Sequence, residues 1–212
     1  MSSCCNDKSC ALDRMRARQG ATLKVVLALN ALMFAVELSA GLLADSISLL
    51  ADSLDMLGDA LVYAFSLWAI DKGLVWKARA ALAKALVMAA FGLFVAAQVI
   101  HKLLVPQLPG HETMGAVGLL ALAVNALCFL LLWRHRGEDI NMRSVWLCSR
   151  NDLFANSAVL AAAAGVWWTA SPWPDLVVGS LICLLFLHSA WDVLGDARRE
   201  LRAARDPLRV LP

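Results

Sequence analysis

The stretch SISLLADSLDMLGDA, residues 46–60, combines an apolar helical pattern with three aspartates. Asp55 and Asp59 are spaced i, i+4, so both side chains project from one face of a helix. A second apolar stretch, NMRSVWLCSRNDLFANSAVL at 141–160, presents Cys148 and Asp152 at the same spacing. An acidic side chain at the centre of a bilayer costs about 2.5 kcal/mol or more, so these residues are candidates for a functional site.

The composition around these stretches is that of a membrane protein. Of the 212 residues, 60% are hydrophobic, and the mean hydropathy is +0.66, whereas soluble domains are roughly half apolar. Apolar stretches of about the 20 residues needed to span a bilayer recur along the chain, separated by polar turns. They predict helices at 21–43, 46–70, 79–104, 113–133, 144–169 and 174–194. We therefore predict an all-α polytopic membrane protein with six transmembrane helices.

The distribution of positive charge predicts the orientation. Seventeen of the nineteen lysines and arginines fall in the two terminal segments and around the loops after the second and fourth helices. Because positive residues favour the cytoplasmic side, both termini are predicted to be cytoplasmic. The chain then divides into a Cys-containing N-terminal tail (1–19), a transmembrane transport domain (20–195) and a short Arg-rich tail (196–212). The basic residues form no single patch, so no nucleic-acid partner is expected.

Asp55, Asp59, Cys148 and Asp152 supply four potential ligands from two antiparallel helices. At ~1.5 Å of rise per residue, both pairs fall at a similar depth. Zinc binds tetrahedrally to thiolate and carboxylate, and a thiolate raises the preference for cadmium. Mg²⁺ and Ca²⁺ prefer more oxygen ligands. Ligands lose protons when they bind a metal, so metal and H⁺ compete for one site, as an exchanger requires.

Some polar residues near this site have more than one interpretation. Asp52, one turn before the first pair, supports the ligands or lies on the path of the ion; alternatively it forms a cap or a structural hydrogen bond. Intramembrane aspartates also pair helices, and a lone cysteine such as Cys148 often acts as a small hydrophobe. Two interpretations are open for the N-terminal cysteines Cys4, Cys5 and Cys10. In one, their thiolates capture a thiophilic metal; in the other, they belong to a disordered tail.

The two stretches, together with PWPDLVVGSLICLLFLHSAWDVL at 172–194, resemble the cation diffusion facilitator family. The resemblance runs over about residues 20–200 and includes Asn30, Glu37 and Asn125. It implies a six-helix metal/proton antiporter that exports zinc, cadmium or cobalt from the cytoplasm. It also implies a homodimer in the bacterial inner membrane. The metal site of the family falls on Asp55, Asp59, Cys148 and Asp152, with Cys148 in place of a histidine.

Two departures from the family affect the prediction. The chain is expected to lack the C-terminal cytoplasmic domain of the family, so a homodimer would rest on transmembrane contacts. The thiol in place of histidine favours a soft ion.

The sequence holds no nucleophile with a base, no phosphate loop and no ATPase signature. A secondary transporter rather than an enzyme is therefore expected, with no cofactor besides the transported ion and protons. The alternative function is a membrane metal sensor or accessory subunit without independent transport, which the cysteine-rich start would suit.

Overall fold

The computed structural model is helical throughout the ranges that it describes, 3–69, 74–133 and 140–205, apart from short turns. These ranges contain α1 (Ser3–Leu43), α2 (Ile47–Ala69), α3 (Leu74–Leu104), α4 (His111–Trp133), α5 (Ile140–Thr169) and α6 (Trp173–Arg205). Side chains are described at 20–64, 67, 82–83, 85–133, 152–188, 190–191 and 194–195.

All six predicted helices are present, but the first and last are longer than predicted. α1 begins at Ser3 rather than at residue 21, and α6 continues to Arg205 rather than ending at 194. Neither extension contains a proline, so the helix is free to continue into the polar segment. The backbone at 3–19 is helical. The side chains of Cys4, Cys5 and Cys10 lie outside the described residues.

Hydropathy divides the described helices into two groups. By length and composition, the segments Gly20–Leu43, Ala85–Leu104 and His111–Trp133 are apolar enough to cross a membrane. The segment Trp173–His188 of α6 is apolar but shorter. α2 carries three aspartates between residues 52 and 59, which lowers its hydropathy although most of their neighbours are buried.

The helices pack so that α2 lies at the centre of the bundle. It contacts α1, α3, α5 and α6, while α3 packs along α6 and α4 along α5. Large apolar side chains on the outer faces of the helices, among them Leu32, Leu119 and Leu184, are exposed. Such an apolar exterior fits a lipid environment, in which helices pair their own backbone groups. The acidic residues of α2 therefore lie inside the bundle rather than toward lipid.

A tight turn joins α1 to α2, as the polar Ala44–Ser46 segment predicts. Asp45 adopts a φ of 52°, in the left-handed region, and the Ser46 amide donates to the Gly41 carbonyl at 2.9 Å. The Ser46 hydroxyl accepts from the Leu49 amide at 3.2 Å, which makes Ser46 the N-cap of α2. This turn fixes the direction in which α2 enters the bundle and therefore the positions of its aspartates.

Candidate cation site

Asp55 of α2 and Asp152 of α5 face one another inside the bundle. Their carboxyl groups are close enough to interact electrostatically, and both line a cavity of about 350 Å³ whose other walls are apolar residues of α5 and α6. Asp152 is buried and Asp55 is half-buried. Two carboxylates this close repel one another unless a proton or a cation lies between them. A proton or a cation between the two groups would relieve this repulsion.

Asp59 lies one turn further along α2 and has a partner of its own. The Tyr63 hydroxyl donates a 2.6 Å hydrogen bond to Asp59 Oδ2. Both residues are buried, and Tyr63 belongs to an apolar cluster that also contains Cys128 of α4. Tyr63 has the same i, i+4 spacing from Asp59 that joins the two predicted ligands, so this spacing was the signal that could have identified it from the sequence.

The register of α2 against α5 relates the two predicted pairs. Asp52 contacts Asn156 at 3.5 Å and Asp55 is close to Asp152, so the helices run antiparallel through this region. By this register, the backbone position of Cys148, one turn before Asp152, is at the level of Asp59. The side chain of Cys148 lies outside the described residues. Among the side chains that are described, no group of three or more His, Cys, Asp or Glu residues is close enough to hold a metal.

Three fully buried polar residues lie one turn from the Asp55–Asp152 pair, toward the N-terminal end of α2. They are Glu37 of α1, Asp52 of α2 and Asn156 of α5, and we call them the Glu37 cluster. The amide nitrogen of Asn156 donates to the Asp152 carbonyl at 2.9 Å and approaches Asp52 Oδ1 at 3.5 Å. Asp52 is therefore neither a helix cap nor a solvent-facing residue.

A second buried polar group, which the sequence did not predict, joins the N-terminal ends of α2 and α6. Asp175 Oδ1 accepts hydrogen bonds from both hydroxyls of Ser46 and Ser48 at 2.7 Å and from the Ser48 amide at 2.9 Å. Asp175 Oδ2 accepts from the Ile47 amide at 2.8 Å and lies 3.7 Å from Lys102 Nζ of α3. We call Ser46, Ile47, Ser48, Lys102 and Asp175 the Asp175 cluster.

The close approach of α6 to α2 makes the Asp175 cluster possible. A Cβ at Gly179, one turn after Asp175, would lie 2.5 Å from the Ile47 side chain and 2.6 Å from its carbonyl carbon. Lys102 is buried and also pairs with the exposed Asp45 at 3.2 Å. An acid at a helix N-terminus is a recognisable sequence signal, but the helix that Asp175 caps is its neighbour α2 and not its own.

Comparison with known proteins identifies the family. The model of the cation efflux transmembrane domain matches residues 23–74 and 75–202, which is most of the chain. The chain belongs to the cation diffusion facilitator family. The family membership predicted from residues 46–60, 141–160 and 172–194 is thereby confirmed. The chain is an integral multi-pass membrane protein, and its described ranges contain six helices.

Curated relatives in this family include zinc transporters. The chain is 29% identical to the zinc transporter ZitB of Escherichia coli over 125 residues, which cover 58% of this chain and 39% of that protein. It is 30% identical to the zinc transporter ZitB of Yersinia pestis over 111 residues, which cover 49% of this chain and 34% of that protein. The matched region thus spans well under half the length of these relatives.

Proposed function

We propose that this protein exports a divalent transition-metal cation, with zinc, cadmium and cobalt as the candidates, from the cytoplasm in exchange for protons. The observation that carries the proposal is the Asp55–Asp152 pair, two acidic side chains from different helices that meet inside a membrane bundle. Intramembrane acids in such positions mark ion pathways in general. The zinc transporters among the relatives favour the same class of substrate.

In the proposed site, Asp55, Asp59, Cys148 and Asp152 coordinate the ion. Asp55 and Asp152 supply oxygens from opposite sides of the cavity, and Cys148 is at the level of Asp59. The Tyr63 hydroxyl donates to Asp59 Oδ2 and so orients this carboxylate. Three carboxylates and a thiolate carry more negative charge than one divalent ion neutralises, so an empty site takes up protons and metal binding releases them.

The proposed exchange follows from this competition. When the site faces the side with more protons, protons displace the metal; when it faces the cytoplasm, metal displaces protons. Alternation between the two states moves metal one way and H⁺ the other, and the pH gradient supplies the driving force. The proposal also includes the location and assembly of the protein. Both termini lie in the cytoplasm, and the protein forms a homodimer through transmembrane contacts in the bacterial inner membrane. A membrane sensor without transport is the competing function.

Flux into proteoliposomes with a pH gradient tests the proposal. We expect Zn²⁺ or Cd²⁺ flux that follows the gradient, stops when an ionophore dissipates it, and is abolished by Asp55→Asn and by Asp59→Asn. Glu112→Gln is the matched control, because Glu112 is an exposed carboxylate in the first turn of α4. Metal binding without flux would support the sensor, and flux that survives both substitutions would refute the proposed site.

A further inference from the structure

The Glu37 cluster contains buried oxygens that have no donor. Glu37 Oε1 and Oε2, Asp52 Oδ2 and Asn156 Oδ1 contact no hydrogen-bond donor in the part of the chain that the structure describes. All three side chains are fully buried. Native proteins pair nearly all of their buried polar atoms, so four unpaired acceptors in one small region call for an explanation.

The three residues lie at one level of the bundle. Asp52 and Asn156 are in contact across α2 and α5. On α1, Gly41 packs directly against Leu50 of α2, and α1 runs antiparallel to α2, so Glu37, one turn before Gly41, is at the level of Asp52 to Leu54. The Glu37 carboxyl is also within electrostatic range of Asp52 and Asp55.

The chemistry of the unpaired atoms selects the class of ligand. All four are oxygens that accept hydrogen bonds, and two of the three side chains are acids. The donor within this cluster is the amide nitrogen of Asn156. It already contacts Asp52 Oδ1 and the Asp152 carbonyl, so it does not pair the four remaining oxygens. A divalent cation satisfies several such oxygens at once, because carboxylate and amide oxygens are its usual ligands.

We infer that Glu37, Asp52 and Asn156 form a second cation-binding station, with oxygen ligands alone, one helical turn from the Asp55–Asp152 pair. This inference rests on the proposed function, since the station takes the transported ion between that pair and the N-terminal end of α2. Because it has no thiolate, it discriminates less between cadmium and zinc than the site containing Cys148. It also accepts Mn²⁺, an ion suited to oxygen ligands.

Mn²⁺ binding to the purified full-length chain in detergent, followed by electron paramagnetic resonance, tests the station. The starting variant replaces Cys4, Cys5, Cys10 and Cys148 by serine and Asp55, Asp59 and Asp152 by asparagine, which removes the other proposed metal ligands. We expect one weakly bound Mn²⁺ per protomer to remain. Glu37→Gln in this background should weaken that binding more than about tenfold, since even residues that merely support a ligand change metal affinity by 10–100-fold. Glu112→Gln should leave it unchanged.

A second variant keeps the test decisive if Glu37→Gln does not fold. Asn156→Asp adds a carboxylate at the station and should tighten Mn²⁺ binding. Absence of residual binding, or binding that neither substitution alters, would overturn the inference. The unmodified chain, titrated with Zn²⁺ in the same series, separates this failure from that of the proposed function. Zn²⁺ binding that depends on Asp59 would leave the proposed function standing, whereas a chain that binds no Zn²⁺ would refute both.

Discussion

Two buried clusters of charged and polar residues lie in this bundle, and they differ in how their carboxyl groups are paired. In the Asp175 cluster, one carboxylate accepts four hydrogen bonds from the first residues of α2 and faces the ammonium group of Lys102. In the Glu37 cluster, both oxygens of the glutamate lack a donor among the described side chains. A charge that is fully paired within the protein holds helices together, whereas an unpaired one remains available to an ion.

The position of each cluster agrees with this division. The Asp175 cluster joins the beginnings of α2 and α6 to the end of α3. It therefore fixes the position at which α2 enters the bundle. The Glu37 cluster and the Asp55–Asp152 pair lie further along α2, where an unpaired acid is costly unless it serves a function. We therefore assign a structural role to Asp175 and Lys102, and we propose ion binding for Glu37 and for the acids farther along α2 and α5.

The largest effect is expected from Asp175→Ala. It removes the cap of α2 and leaves Lys102 buried without its partner in α6, and breaking a buried ion pair in this way costs about 3–5 kcal/mol. Unfolding of the detergent-solubilised protein by heat or denaturant would measure the loss. The double variant with Lys102→Met should recover part of it. Unchanged stability of Asp175→Ala would remove the distinction between the two clusters.

Glu37→Gln provides the matched comparison for that experiment, since it also alters one buried carboxyl group. Glu37 accepts no hydrogen bond from the described residues, so the substitution removes none, and we expect stability equal to or above that of the unmodified chain. A loss as large as that of Asp175→Ala would show that Glu37 has a structural partner, which would assign both clusters the same role.

Tyr63→Phe should have an intermediate effect on transport. It removes the hydroxyl that positions Asp59 Oδ2 but keeps the ring in its buried place. Hydrogen-bonding partners of metal ligands typically contribute 10–100-fold in affinity. We expect a rise of about tenfold in the metal concentration for half-maximal flux, with no change in the amount of folded protein. An unaltered concentration dependence would mean that Asp59 does not need Tyr63 to bind the ion.

Cys148→His should have the smallest effect, a change of selectivity. An imidazole suits zinc at least as well as a thiolate does, whereas the thiolate favours softer ions. Competition between Cd²⁺ and Zn²⁺ in the flux assay should therefore show a weaker preference for Cd²⁺ than in the unmodified chain. If the ratio of the two fluxes stays the same, Cys148 is not a ligand.

Features that depend on local sequence could be predicted, and those that depend on distant contacts could not. The six helices and the i, i+4 pairs follow from periodicity, and the Ser46 cap follows from one polar residue in a turn. The Asp175 cluster needs residues 46–48, 102 and 175 to meet, and no local pattern encodes that meeting. The sequence also does not predict that Glu37 lacks a donor among the described residues, because this depends on which hydrogen-bond donors of the neighbouring helices lie close to it.

The most direct test of the account is zinc X-ray absorption spectroscopy on the full chain loaded with one Zn²⁺ per protomer, after Cys4, Cys5 and Cys10 are replaced by serine. With Asp55, Asp59, Cys148 and Asp152 as ligands, we expect one sulfur at ~2.3 Å and oxygens at ~2.0–2.2 Å. The sulfur should disappear in Cys148→Ser, and the oxygen shell should change in Asp152→Asn. A spectrum without sulfur, or one that neither substitution alters, would contradict the proposed site.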